Sequence, residues 1–225
     1  TVAILDHFMQ NALLKIDHSV ISTESNDEKL YQYYYESLLY FQQYKSLALI
    51  FLLVQRADVG DLCFQKMLFY EGLTMLTISE MLDSIFGERL AETKYDLILL
   101  MQGMLKTYMN VLLFINQTLD LHIIARSLVE KTNVLVEHSS IHILNKTHLS
   151  HDLSSIISSD IIKAELEALE TKDLTPLEQQ SIEVLVEQFQ QPIQQQAIVV
   201  GLLHNIKDNI KLHWVAFLIR HFVYK

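Results

Sequence analysis

Apolar residues recur along this chain at spacings of three and four, the period of helices that bury one face. Ile4, Phe8, Ala12 and Ile16 predict a first helix to about Ile21, which stops in the polar residues 22–26. Ser25 and Glu28 have the S-x-x-E spacing of a capping box, and the helix predicted from there runs through Leu30, Tyr34, Leu38, Phe41, Leu47 and Ile50 to about Arg56. Gly60 and Asp61 punctuate next, with Asp61 as the expected N-cap of a helix over 62–86 that Gly87 ends. Within 96–115, Leu97, Met101, Met104, Tyr108, Val111 and Ile115 form a seam, while Ile98, Leu105 and Leu112 lie on another face. A helix apolar on two faces needs cover on two sides. After the break at 116–118, Leu121, Ile124, Leu128, Thr132 and Leu135 repeat the seam, so the two helices together predict a dimer interface.

Beyond Glu137 the chain turns polar and reads as a loop, followed by a helix over about 156–170. Thr175-Pro176-Leu177-Glu178 is a strong helix start, with Pro in the first turn and a second capping box. Ile182, Leu185, Val186 and Phe189 make its apolar face, Pro192 ends it or begins the next helix, and helices near 193–205 and 209–223 close the chain. The expected organisation is all-α, with one domain over 1–174 and a helical extension over 175–225 packed on it.

Composition supports this reading, because half of the residues are apolar and only five are Gly and two Pro. The formal charge of −10 repels phosphate, so these residues are expected not to hold nucleic acid strongly. The single cysteine, Cys63, makes no intramolecular disulfide; it favours a reducing compartment and reads as a small buried residue. The longest uninterrupted apolar run, 47–54, is far short of the roughly 20 residues that span a bilayer. A cytoplasmic protein without a membrane partner is the expectation. The start at Thr1 has no initiator Met and enters a periodic segment directly, as if the natural beginning lay upstream.

Tyr31, Tyr33, Tyr34, Tyr35, Tyr40, Phe41, Tyr44 and Phe51 cover every side of one helix. With Phe8, Met67, Tyr70, Met75, Met101 and Met104 they form either a packed core or the wall of an adaptable apolar cavity. His138 and His142 have an i, i+4 spacing that puts both on one helical face, with Glu137, His148, His151 and Asp152 nearby, but no H-E-x-x-H is present. The polar loop is the simpler reading of that cluster, and no metal or cofactor is assigned. No Glu is followed by His three residues later, as a di-iron bundle needs, and there is no P-loop, G-x-S-x-G or G-x-G-x-x-G.

Phe86-Gly87-Glu88-Arg89, Asp96-Leu97, Leu100 to Tyr108, Ile124-Ala125-Arg126-Ser127-Leu128-Val129 and Val134-Leu135-Val136-Glu137 resemble the dimerising end of the ligand-binding domain in TetR/AcrR-type transcriptional regulators. The resemblance covers about a quarter of the chain. It implies a homodimer through Met104, Tyr108, Val111, Ile124, Leu128 and Leu135. It also selects the cavity reading, with a small apolar effector among Phe8, Tyr34, Phe41, Met67, Tyr70, Met75, Met101 and Met104, and implies allosteric control of DNA binding. Such regulators begin with a basic helix-turn-helix. Tyr33-Tyr34-Tyr35-Glu36 echoes its end, but no Gly-Val-Ser precedes it, so that module is expected to lie outside these residues or to have been lost. A helical enzyme acting on an apolar substrate, or an interaction scaffold without a ligand, are the alternatives.

Overall fold

A computed structural model describes residues 2–47, 61–90, 92–115, 119–145, 148, 155–191 and 194–224. Every regular element among them is helical: α1 (Val2–Ile21), α2 (Asn26–Gln43), α3 (Asp61–Phe86), a 3-10 turn (Gly87–Leu90), α4 (Lys94–Phe114), α5 (Leu121–His138), α6 (Ser159–Glu167), α7 (Pro176–Gln190), α8 (Gln196–Ile206) and α9 (His213–Val223). They form two compact units, Thr1–His151 and Asp152–Lys225. The division falls earlier than the expected 174/175, and α6 groups with the helices that follow it.

In the first unit α2 packs on α1 and α5, α3 packs on α1, and α4 packs against α3 and α5. The buried positions of α2, Leu30, Tyr33, Tyr34, Ser37, Leu38 and Tyr40, make a stripe wide enough to meet neighbours on two sides. α5 buries Leu121, Ile124, Ala125, Leu128 and Thr132 in a single narrow row. In the second unit α6, α7, α8 and α9 pack in sequence and α9 returns to α6. α9 has Val215, Phe217, Leu218 and Ile219 all buried, as a helix enclosed by neighbours should.

Helix ends follow local chemistry. Gly87 adopts φ +54, the left-handed region that glycine enters without steric cost, and this ends α3. The Asp120 carboxylate accepts from the His122 amide and caps α5. At α7 both halves of the Thr175/Glu178 box form, with Pro176 in the first turn. The Glu178 carboxyl is held below its ordinary value of 4.5 by hydrogen bonds from Asn209 first and from Thr175 second.

The Ser25/Glu28 box does not form. Ser25 precedes α2 but its side chain makes no capping bond, and Glu28 accepts from Gln32 at 3.0 Å instead. α2 breaks at Gln43 with a turn at Tyr44, residues 45–47 are helical again, and residues 48–60, Phe51 and the expected end near Arg56 among them, lie outside those described. The same holds for Pro192 and His151.

Candidate functional site

Four helices of the first unit line a half-open cavity of about 300 Å³, each presenting one stripe to it. α1 supplies Leu5, Phe8, Met9, Ala12, Leu13 and Ile16, and α2 supplies Tyr33, Ser37, Tyr40 and Phe41. α3 supplies Met67, Tyr70, Glu71, Thr74 and Thr77, and α4 supplies Gln102, Leu105, Lys106, Met109 and Asn110. The offsets of three and four within each group are those of one helix face. The volume stands at the lower end of the ~300–1,000 Å³ typical of small-molecule sites.

Apart from the half-buried Gln102, polar groups of the wall fall into two sets. Glu71, Lys106 and Asn110 are exposed and mark the mouth, where Lys106 Nζ pairs with Glu71 Oε1 at 3.1 Å. Inside, the hydroxyls are bound to protein acceptors. Ser37 donates to the Tyr33 carbonyl at 2.6 Å, Thr74 to Tyr70 at 2.9 Å and Thr77 to Leu73 at 3.0 Å, each bonding back along its own helix. Tyr40 donates to the Phe8 carbonyl at 3.1 Å, and Tyr70 to Asp6 Oδ1 at 2.7 Å, where Lys66 also reaches Asp6 at 3.1 Å.

The exception is Tyr33. Its hydroxyl is buried without a hydrogen-bond partner, a state that costs about 1–3 kcal/mol when a polar group is left unpaired. Burial, with Tyr34 adjacent, pushes its phenol far above the ordinary 10, so it stays protonated. Burial and then Tyr44 push Tyr40 up to about 12.

Of the residues expected around a ligand, the structure brings Phe8, Phe41, Met67 and Tyr70 to the cavity. Tyr34, Met75, Met101 and Met104 are not on its wall. Tyr34 is fully buried in the contact between α2 and α5, with its hydroxyl 2.7 Å from Thr132 Oγ1. Met101 is fully buried on another side of α4, while Met75 and Met104 are half-buried. The stripes of α1 and α4 carry much of the wall, and aromatic and Met richness in the sequence does not mark the helix face that Leu105 and Met109 define.

The expected dimer residues divide in the same way. Leu128 is 0% exposed and Ile124 is buried as well, because this row of α5 is covered by the chain's own helices. Those two belong to the core of the unit and not to a surface. Met104, Tyr108, Val111 and Leu135 are half-buried. The large apolar residues that α4 and α5 expose are Leu99, Leu100, Phe114, Ile123 and Val134.

α5 ends at His138, so His138 and His142 do not share a helical face. His138 lies 3.9 Å from Glu137 and His142 3.9 Å from Glu92, and His148 Nδ1 accepts from the Asn145 amide. Among the described residues no three His, Cys, Asp or Glu side chains converge as metal ligands would. Cys63 is buried. The chain matches no family model, no curated protein and no solved structure.

Proposed function

We propose that the first unit is the effector-sensing domain of a TetR-like transcriptional regulator, and that it takes a small, mostly apolar molecule into the cavity between α1, α2, α3 and α4. The observation that carries the reading is the cavity itself, about 300 Å³ with walls of Leu, Met, Phe and Tyr. The regulator class rests on the sequence of α4 and α5 described above. Binding over catalysis is supported by the wall's chemistry: its one carboxylate among the described residues, Glu71, sits at the mouth and is paired with Lys106. A ligand that binds better when the four helices stand apart at one spacing shifts the population towards that spacing. Because α4 belongs both to the wall and to the outward surface, such a shift reaches the partner subunit.

That partner is a second copy. α4 is the one helix, among the described residues, long and apolar enough to cross a membrane, with a mean hydropathy of 1.5 in its apolar window, of which 28% is buried within the chain. Such a helix has a face left to cover. Lys106, near its middle, favours a protein neighbour over lipid, since a Lys at the bilayer centre costs about 2.5–3.5 kcal/mol. The outward stripe Leu100, Gly103, Thr107 and Phe114 recurs at heptad offsets suited to a like helix.

A thermal-shift screen of the chain against small apolar compounds tests the ligand reading. Compounds present at 100 times their dissociation constant should stabilise the fold by about 2.7 kcal/mol and raise Tm by several degrees. Ala12→Phe, which puts a ring into the cavity, should abolish these shifts. A flat screen, or equal shifts in the filled variant, would sink the proposal.

A further inference from the structure

We propose that the cavity takes uncharged amphiphiles, with the apolar body of the molecule inside and its one polar edge turned to the mouth, where the side-chain amide of Gln102 donates to it. This rests on the ligand-binding reading given above and adds the chemistry and orientation of what is bound. Away from the mouth the wall has no donor to give. The hydroxyls of Ser37, Tyr40, Tyr70, Thr74 and Thr77 already donate to backbone carbonyls or to Asp6, and that of Tyr33 is buried without accessible surface. A ligand carbonyl pressed against this part of the wall loses its water and gains no partner.

At the rim the situation is reversed. Gln102, Lys106 and Asn110 follow one another at offsets of four on one face of α4, and all three border the cavity. Lys106 is exposed and pairs with Glu71 at 3.1 Å, and Asn110 is exposed as well, so water competes for both. Gln102 is half-buried; among the described residues its amide has no hydrogen-bond partner, and its polar atoms retain accessible surface. It combines partial shelter from water with two free N–H donors, which is what a neutral acceptor needs. The Glu71–Lys106 pair cancels the charge one turn away, so an ionised group of either sign gains little at this mouth. The size limit comes from the volume: about 300 Å³ corresponds to roughly ten waters at ~30 Å³ each, or a molecule with on the order of a dozen non-hydrogen atoms.

The probes share one carbon skeleton: butylbenzene has no polar group, butyrophenone adds a ketone oxygen, and 4-phenylbutyrate carries a carboxylate. Their dissociation constants are measured with the wild-type chain and with Gln102→Met, which keeps the length of the side chain and removes its amide, and the melting temperature of each unliganded protein is recorded. The ratio of the butyrophenone constant to the butylbenzene constant should rise about fivefold in the variant, as the loss of one net hydrogen bond requires. Wild type should bind butyrophenone more tightly than 4-phenylbutyrate, and the two proteins should melt alike. If butyrophenone and butylbenzene bind wild type and their ratio does not change in the variant, Gln102 is not the recognition group, and this inference is overturned while the cavity remains a ligand site. Tighter binding of 4-phenylbutyrate than of butyrophenone to wild type would assign the mouth to an anionic group and overturn it as well. If Gln102→Met melts well below wild type, the amide already has a partner in the chain and the inference falls. If no probe binds wild type, it falls together with the ligand-binding reading.

Discussion

Tyr33 and Tyr34 are neighbours in sequence with opposite situations. Both are buried, yet Tyr34 bonds Thr132 Oγ1 at 2.7 Å, and Thr132 donates in turn to the Leu128 carbonyl at 2.9 Å. Tyr34 is therefore the donor in its pair, and α2 is tied to α5 by a chain of two hydrogen bonds. Tyr33, one residue earlier, has no such acceptor. Replacing Tyr34 by Phe should cost about 1 kcal/mol in urea unfolding, the usual net value of a buried hydrogen bond, whereas Tyr33→Phe should cost nothing. Equal losses would show that the two hydroxyls are equivalent. The sequence marks this stretch as aromatic and inward-facing, but it cannot say which tyrosine is paired. The partner stands 98 residues away, and only the fold brings it near.

At the scale of the helix, α4 serves three surfaces. Leu97, Ile98, Met101, Leu105 and Leu112 are buried; Gln102, Leu105, Lys106, Met109 and Asn110 line the cavity; Leu100, Gly103, Thr107 and Phe114 face outward. The repeat of three and four made the helix legible and showed that it needed cover on two sides. Period alone does not assign a face to the core, a ligand or a second copy: it suits Leu128 and Ile124 to an interface, yet the unit's own packing encloses them. Cap motifs show the same boundary. Thr175-Pro176-Leu177-Glu178 forms its box because Pro176 presets the first turn and Asn209 also holds Glu178 at 2.9 Å, while Ser25 and Glu28, with equal spacing, have neither aid. Sedimentation of two variants separates core from interface. Leu100→Glu should give a folded monomer from a dimeric wild type, and Leu128→Glu should unfold the first unit by placing a charge in its core. A wild type that stays monomeric at micromolar concentration would contradict the dimer.

For the molecule as a whole, composition points to the helical class, since so few Gly and Pro leave little material for the tight turns that join strands. The polar stretch after Glu137 precedes the division at 151/152, but the grouping of α6 with later helices is set by packing and is not legible from composition. The charge of −10 fits a sensor more than a DNA reader, as phosphate contacts need a basic surface. The account therefore rests on the cavity of the first unit. Its most direct test is a diffraction structure of the full chain crystallised with saturating butyrophenone. The account predicts the ketone between α1, α2, α3 and α4. A structure in which that space is collapsed, or holds only water while the ketone binds elsewhere or not at all, would contradict it.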